Sequence, residues 1–149
     1  MELFAGLLPV LFLMLGDAPS LHLKEYERLQ GVWVVRSAEY CFALADNDSP
    51  VGSTFTFEGK HVTISHWGRV YTVEINPSAR PKEMDLVRLV DDAGNKEAEL
   101  CIYEIDETQL KIRFGGYREK HGYCLTWRPA DFTNPRQPNL TYVLERRKH

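Results

Sequence analysis

The chain has 149 residues, 44% of them hydrophobic and 26% charged, with a formal net charge of −3. That length supports one hydrophobic core and excludes two comfortable domains, while the apolar content excludes an intrinsically disordered chain. The mildly acidic balance excludes a polyanion binder, because the one basic cluster, Arg146, Arg147 and Lys148, is a short tail without interleaved aromatics. No nucleic-acid partner is expected.

Leu3 to Leu15 is almost wholly apolar, yet it falls short of the roughly 20 residues that a membrane-spanning helix needs. Residues 1–20 read as a secretory signal, although Glu2 stands where a basic residue is usual. Ala18 and Ser20 suit the third and first positions before a cut, giving a mature domain over 21–149; a cut after Ala18 would meet Pro19. An uncleaved amphiphilic anchor or a buried first helix is the alternative. Loss of Glu2 and Asp17 would move the net charge from −3 to −1. The domain is expected to be exported, to the periplasm, the cell envelope or the medium, with no transmembrane span in its mature part.

Leu23 to Gln30 is a short amphipathic, helix-like segment, and Gly31-Val32-Trp33 leads from it into the first strand-like run, Val34 to Glu39. From Gly31 onward, short alternating runs are separated by turn residues. Apolar side chains recur at every second position in Trp33 and Val35, Phe55 and Phe57, Val62 and Ile64, Tyr71, Val73 and Ile75, and Leu110, Ile112 and Phe114. Their neighbours, among them Thr54, Thr63, Glu74 and Lys111, would face water. Glu58-Gly59-Lys60 and Asp106-Glu107-Thr108 make tight hairpin connections, and Asp91 to Asn95 makes a further turn. The proline-bearing stretches Asn76 to Lys82 and Arg128 to Asn139 are surface loops. Eight or nine such strands leave two exposed edges unless the sheet closes on itself. The expectation is an all-β fold, a single antiparallel β-barrel behind a short N-terminal helix, with a β-sandwich as runner-up.

Several strings follow in order: LQGVWVVRSAE at 29–39, TFTFEGKHVTI at 54–64, NPSARPKEMDL at 76–86, IYEIDETQLKI at 102–112, RPADF at 128–132 and YVLERR at 142–147. Together they resemble the lipocalin-like domains of unknown function that are abundant in planctomycetes. The resemblance implies a lipocalin-like barrel, usually exported, with no established activity, substrate or catalytic residue. The chain departs from that pattern at Cys101, where Gly is usual, at Arg113, where Cys is usual, and in a longer, more aromatic stretch from Gly115 to Trp127. In lipocalin-type barrels the Gly-x-Trp indole packs across the closed end under an arginine of the last strand. That implies a structural plug of Gly31, Trp33 and Arg146, and a guanidinium over an indole is physically favourable.

With Trp33 at the closed end, the first strand would deliver Cys41, Phe42 and Leu44 to the open end, where residues 41–52 could form a lid. Cys41–Cys124 is then the disulfide to test; three buried free thiols, Cys41, Cys101 and Cys124, are the competing reading. His121 and Cys124 have no second pair of ligands nearby, so no metal is expected.

Enzyme signatures are lacking: there is no Gly-x-Ser-x-Gly, His-Glu-x-x-His, P-loop or Gly-x-Gly-x-x-Gly, so no catalytic residue and no cofactor are expected. His66 shares parity with Val62 and Ile64 and could face inward. Glu104 and Asp106 are more simply a strand end entering a turn than an acid–base pair. The aromatic residues carry more. Phe55, Phe57, Tyr71, Phe114, Tyr123, Trp127 and Tyr142, with His66 and the lid residues Phe42 and Leu44, form the candidate lining for a small apolar or amphipathic ligand. The alternative is that these rings fill the barrel, leaving a structural or protein-interaction domain of the cell envelope.

Overall fold

The computed structural model describes residues 18–40, 49–115, 127–133 and 139–148. One helix, α1 (Ala18–Leu29), precedes eight strands: β1 (Gly31–Tyr40), β2 (Thr54–Glu58), β3 (His61–Ile64), β4 (Arg69–Asn76), β5 (Lys82–Leu89), β6 (Lys96–Ile105), β7 (Gln109–Gly115) and β8 (Asn139–Arg146). Each strand is antiparallel to the next, and β8 pairs with β1, so the sheet is a closed barrel of the lipocalin-like kind rather than a sandwich. Among the described residues, none of the helices is long and apolar enough to cross a membrane.

Strand alternation builds the interior. β4 alternates buried and exposed from Tyr71 to Asn76, and β2 and β3 repeat the pattern, because side chains two apart share a face of the pleat. Phe55 lies opposite Ile64 and Phe57 opposite Val62, which places four apolar side chains on the inner surface of one hairpin. A bulge between Val35 and Ser37 shifts β1 by one residue, so Ala38, opposite Tyr142, takes the inward position that strict alternation would give to Ser37. The core runs unbroken from Leu29 and Trp33 to Phe114 and Tyr142.

The β-hairpin turns after β2 and β6 and the 77–81 loop lie at one end of the barrel with α1. Tyr26 and Leu29 of the helix pack on the core there, and the Tyr26 hydroxyl donates to the Val73 carbonyl at 2.8 Å. Residues 127–133 lie against the outside of the wall. Arg128 there donates to the Cys101 carbonyl at 2.8 Å and to Asp85 at 2.7 Å, while Lys111 of β7 stands 4.7 Å from the Phe132 ring centre. Gly115 is required beside this segment, because a Cβ would come within 1.7 Å of the Trp127 carbonyl oxygen. Ile102, Arg113 and Thr141 lie on this outer face and are nevertheless buried.

Candidate functional site

The closed end is built around Trp33, which is fully buried. Its indole N–H donates to the Leu29 carbonyl at 2.8 Å, and the Arg146 guanidinium lies 4.1 Å from its ring centre. Arg146 then donates to the carbonyls of Gln30 (2.7 Å), Arg28 (2.5 Å) and Glu107 (3.2 Å), tying the end of α1 to the β6–β7 turn. Gly31 has φ +106°, a conformation that side-chain-bearing residues rarely adopt, and it lets the chain turn from helix to strand under the guanidinium. These groups are architectural: each polar atom is spent on the protein's own backbone.

Beside this plug lies a buried polar cluster that the sequence did not disclose. Glu25 of α1 is 3% exposed and sits 2.5 Å from the Lys82 ammonium; the Tyr103 hydroxyl donates to it at 3.1 Å, and Arg28 approaches at 3.3 Å. Burial, reinforced by the charge of Glu25, pushes the Tyr103 phenol far above its ordinary range, so it remains a neutral donor.

In the other half of the barrel the aromatic residues meet one another. Phe55 and Phe114 each stand edge-on to Tyr142, with ring centres 5.9 and 5.4 Å away. Trp67 comes in from the β3–β4 turn to meet Phe114 at 5.3 Å and Tyr71 at 5.9 Å. Five of the residues expected to line a cavity, Phe55, Phe57, Tyr71, Phe114 and Tyr142, are at most 3% exposed. His66 sits in the same turn as Trp67, past the last residue of β3, where strand parity no longer decides direction. Trp127 is half-buried in the segment outside the wall. Phe42, Leu44 and Tyr123, the Cys41–Cys124 pair, most of the proposed lid and residues 1–17 of the proposed signal lie outside the described residues.

The wall opens between β4 and β5. Their ladder stops at Thr72 opposite Val87, although β4 begins at Arg69 and β5 runs on to Leu89. Above that point β4 pairs with β3 alone and β5 with β6 alone. A cleft of about 560 Å³ occupies the divergence. Arg69, Val70 and Tyr71 form one lip, and Val87, Arg88 and Leu89 the other. Lys96 of β6 flanks the second lip, and His61 and Glu74 close the lower end. Val70 and Leu89 are 56% and 63% exposed, so the lips carry apolar surface. Tyr71 joins the cleft to the aromatic cluster behind it. Burial raises its phenol pKa, Arg69 opposes that through a hydrogen bond and its charge, and Glu99 adds to it.

Arg88 pairs with Glu97 at 2.5 Å, each side chain about one-fifth to one-quarter exposed, and the Arg88 Nε is buried without a hydrogen-bond partner. Sequence reasoning passed over Trp67, Arg69, Arg88 and Glu97. A signal existed for the charged three: Arg69 shares the inward parity of Tyr71 and Val73, Arg88 that of Met84 and Leu86, and Glu97 that of Cys101 and Tyr103. Charges at inward positions gathered at one end of a barrel mark a polar mouth.

The remaining candidates are structural. Cys101 is fully buried; burial above all, with Glu99 and Asp85, raises its thiol pKa and leaves it a small inert hydrophobe. Asp106 accepts from the Thr108 and Gln109 amides at 2.8 and 2.7 Å, which makes it a turn residue. Among the described residues, no three His, Cys, Asp or Glu side chains gather to hold a metal ion. No protein-family model, curated protein or solved structure matches this chain.

Proposed function

We propose that this is an exported, non-catalytic binding domain that takes a small amphipathic molecule through the β4–β5 cleft. The observation that carries the reading is the cleft itself, a divergence of two neighbouring strands of the barrel whose apolar lips lead through Tyr71 to a cluster of aromatic rings. Its volume falls within the usual range for small-molecule sites, roughly 300–1,000 Å³. Apolar Val70, Val87 and Leu89 beside polar Arg69, Arg88 and Lys96 suit a ligand with two chemically distinct ends. The resemblance to lipocalin-like domains and the apolar stretch before α1 support export.

A second reading has its own observation. Phe55, Phe57, Phe114 and Tyr142 are buried in the interior, and the rings of Phe55 and Phe114 stand edge-on to Tyr142 where a deep ligand would sit. That favours a structural or protein-interaction domain of the cell envelope. Native mass spectrometry of protein purified from its natural host separates the two. A co-purified small molecule supports the binding domain. A bare polypeptide mass that also fails to take up hydrophobic probes shifts the assignment to the interaction domain.

A further inference from the structure

We infer that the β4–β5 cleft selects a monomeric medium-chain carboxylate, its anionic head held among Arg69, Arg88 and Lys96 and its chain laid over Val70, Val87 and Leu89. This rests on the binding reading above and specifies the ligand class.

The argument begins with the sign of the charge around the opening. Among the described residues, three permanent cations line it, one on the first lip and two on or beside the second, while Glu74 is the one carboxylate in the lining and lies at the lower end with His61. Glu97 neutralises part of Arg88, and Glu99, outside the lining, acts on the Tyr71 hydroxyl. Setting Glu97 against Arg88 and Glu74 against a second cation still leaves one full positive charge. Among the described residues, the lining has no remaining carboxylate to receive a cationic head.

The state of the donors adds to this. Arg88 uses a terminal nitrogen on Glu97, and its Nε is a buried N–H without an acceptor. That Nε is closed to solvent, so an incoming carboxylate would be met by the guanidinium's remaining terminal N–H groups. Lys96 makes no ion pair with any of the described residues and stands exposed beside the opening. The apolar part is equally placed. Val70 and Leu89 expose more than half of their surface on facing lips, where a short alkyl chain would cover both.

The cations also give a reason for the cleft. Arg69 and Arg88 stand on the two strands where the ladder fails; carried further, the register would set Arg88 opposite Tyr71 and leave Arg69 as its diagonal neighbour of like charge, which disfavours zipping the pair up. A bound anion would relieve that repulsion.

The test is a titration of the full chain, followed by amide chemical shifts, with sodium decanoate, decyltrimethylammonium bromide and decanol, each kept below its aggregation threshold. Decanoate is expected to move the amides of 69–72 and 87–89 and to bind at least about tenfold more tightly than the ammonium, a difference of about 1.4 kcal/mol. Lys96→Glu, at an exposed position where folding is not at stake, is expected to weaken decanoate about threefold or more and to leave decanol unchanged; Arg69→Gln should act in the same direction. If all three compounds bind the cleft equally, or the ammonium binds best, the anion inference is overturned while the binding domain stands. Decanoate shifts confined to another part of the barrel also overturn it. If none of the three moves any cleft amide, both the inference and the assignment of ligand entry to this cleft fail.

Discussion

Arg146 concentrates several interactions in one side chain, which makes its removal informative. Arg146→Ala loses the contact with the Trp33 indole and leaves the carbonyls of Gln30, Arg28 and Glu107 without their donor. The expected cost is about 2–3 kcal/mol, combining a partly desolvated cation–π contact with the net worth of the hydrogen bonds. Arg146→Lys keeps the charge but cannot fork across three acceptors, and it should recover less than half of the loss in a guanidinium chloride melt. A fully stable lysine variant would mean that charge alone matters here. Tyr103 gives a pH-dependent counterpart. A tyrosine in the unfolded chain ionises near pH 10, whereas buried Tyr103 beside Glu25 keeps its proton well beyond that. The folded state therefore holds a proton that the unfolded state releases. The associated stability is complete below about pH 10 and is lost as the pH rises further, by up to about 1.4 kcal/mol per pH unit. Tyr26 and Tyr71 are shifted in the same direction and add to the slope. In Tyr103→Phe, stability plotted against pH should therefore fall less steeply above pH 10 than in the parent; an unchanged slope would remove Tyr103 from the account.

The helix is joined to the barrel by the same group of residues. Glu25 on α1 reaches Lys82 at the start of β5 and Tyr103 near the end of β6, so one buried carboxylate fixes the helix against two strands. Replacing one member should cost more than replacing both, because a buried charge without its partner is worse than an apolar or neutral pair. Lys82→Met is expected to destabilise by about 2 kcal/mol, limited because Lys82 is partly exposed and Arg28 still approaches Glu25. Glu25→Gln combined with Lys82→Met should recover at least half of that in chemical denaturation. Additive losses would show that the two side chains act independently. These elements also show where the sequence was readable. The inward rows of β2, β3, β4 and β7 follow from a period of two, and so do the turns that separate them, because both are local properties of neighbouring residues. Trp67 escaped because a side chain in a turn obeys no parity: three residues past Ile64, it swings back to meet Tyr71 and Phe114. The β4–β5 cleft escaped for another reason. Where a ladder stops depends on how two strands meet in space, and neither strand alone records it. Glu25 was hidden in the same way, since its partners lie 57 and 78 residues away.

At the scale of the molecule, the defining contact is the seam between β1 and β8, which runs from Trp33 opposite Arg146 to Tyr40 opposite Leu140 with one bulge between Val35 and Ser37. It joins opposite ends of the described chain and removes the two edges that an open meander would present to other molecules. Its position also sets an order for folding. The β2–β3–β4 meander needs only short loops, through Gly59-Lys60 and through the turn at 65–68, whereas the seam must close a loop spanning almost the whole barrel before any of its contacts form. The meander should therefore be present in the transition state and the seam largely absent. Val62 and Leu144 allow a direct comparison, since both are fully buried and one belongs to each region. Val62→Ala and Leu144→Ala should each destabilise enough to measure, the latter by about 2–5 kcal/mol. Their kinetics should differ. Val62→Ala is expected to slow refolding with little change in unfolding, and Leu144→Ala to accelerate unfolding with refolding nearly unaltered. Stopped-flow refolding and unfolding across a denaturant series reads both limbs. If Leu144→Ala slows refolding by the greater part of its equilibrium effect, barrel closure precedes the rate-limiting step, and the seam rather than the meander organises the fold.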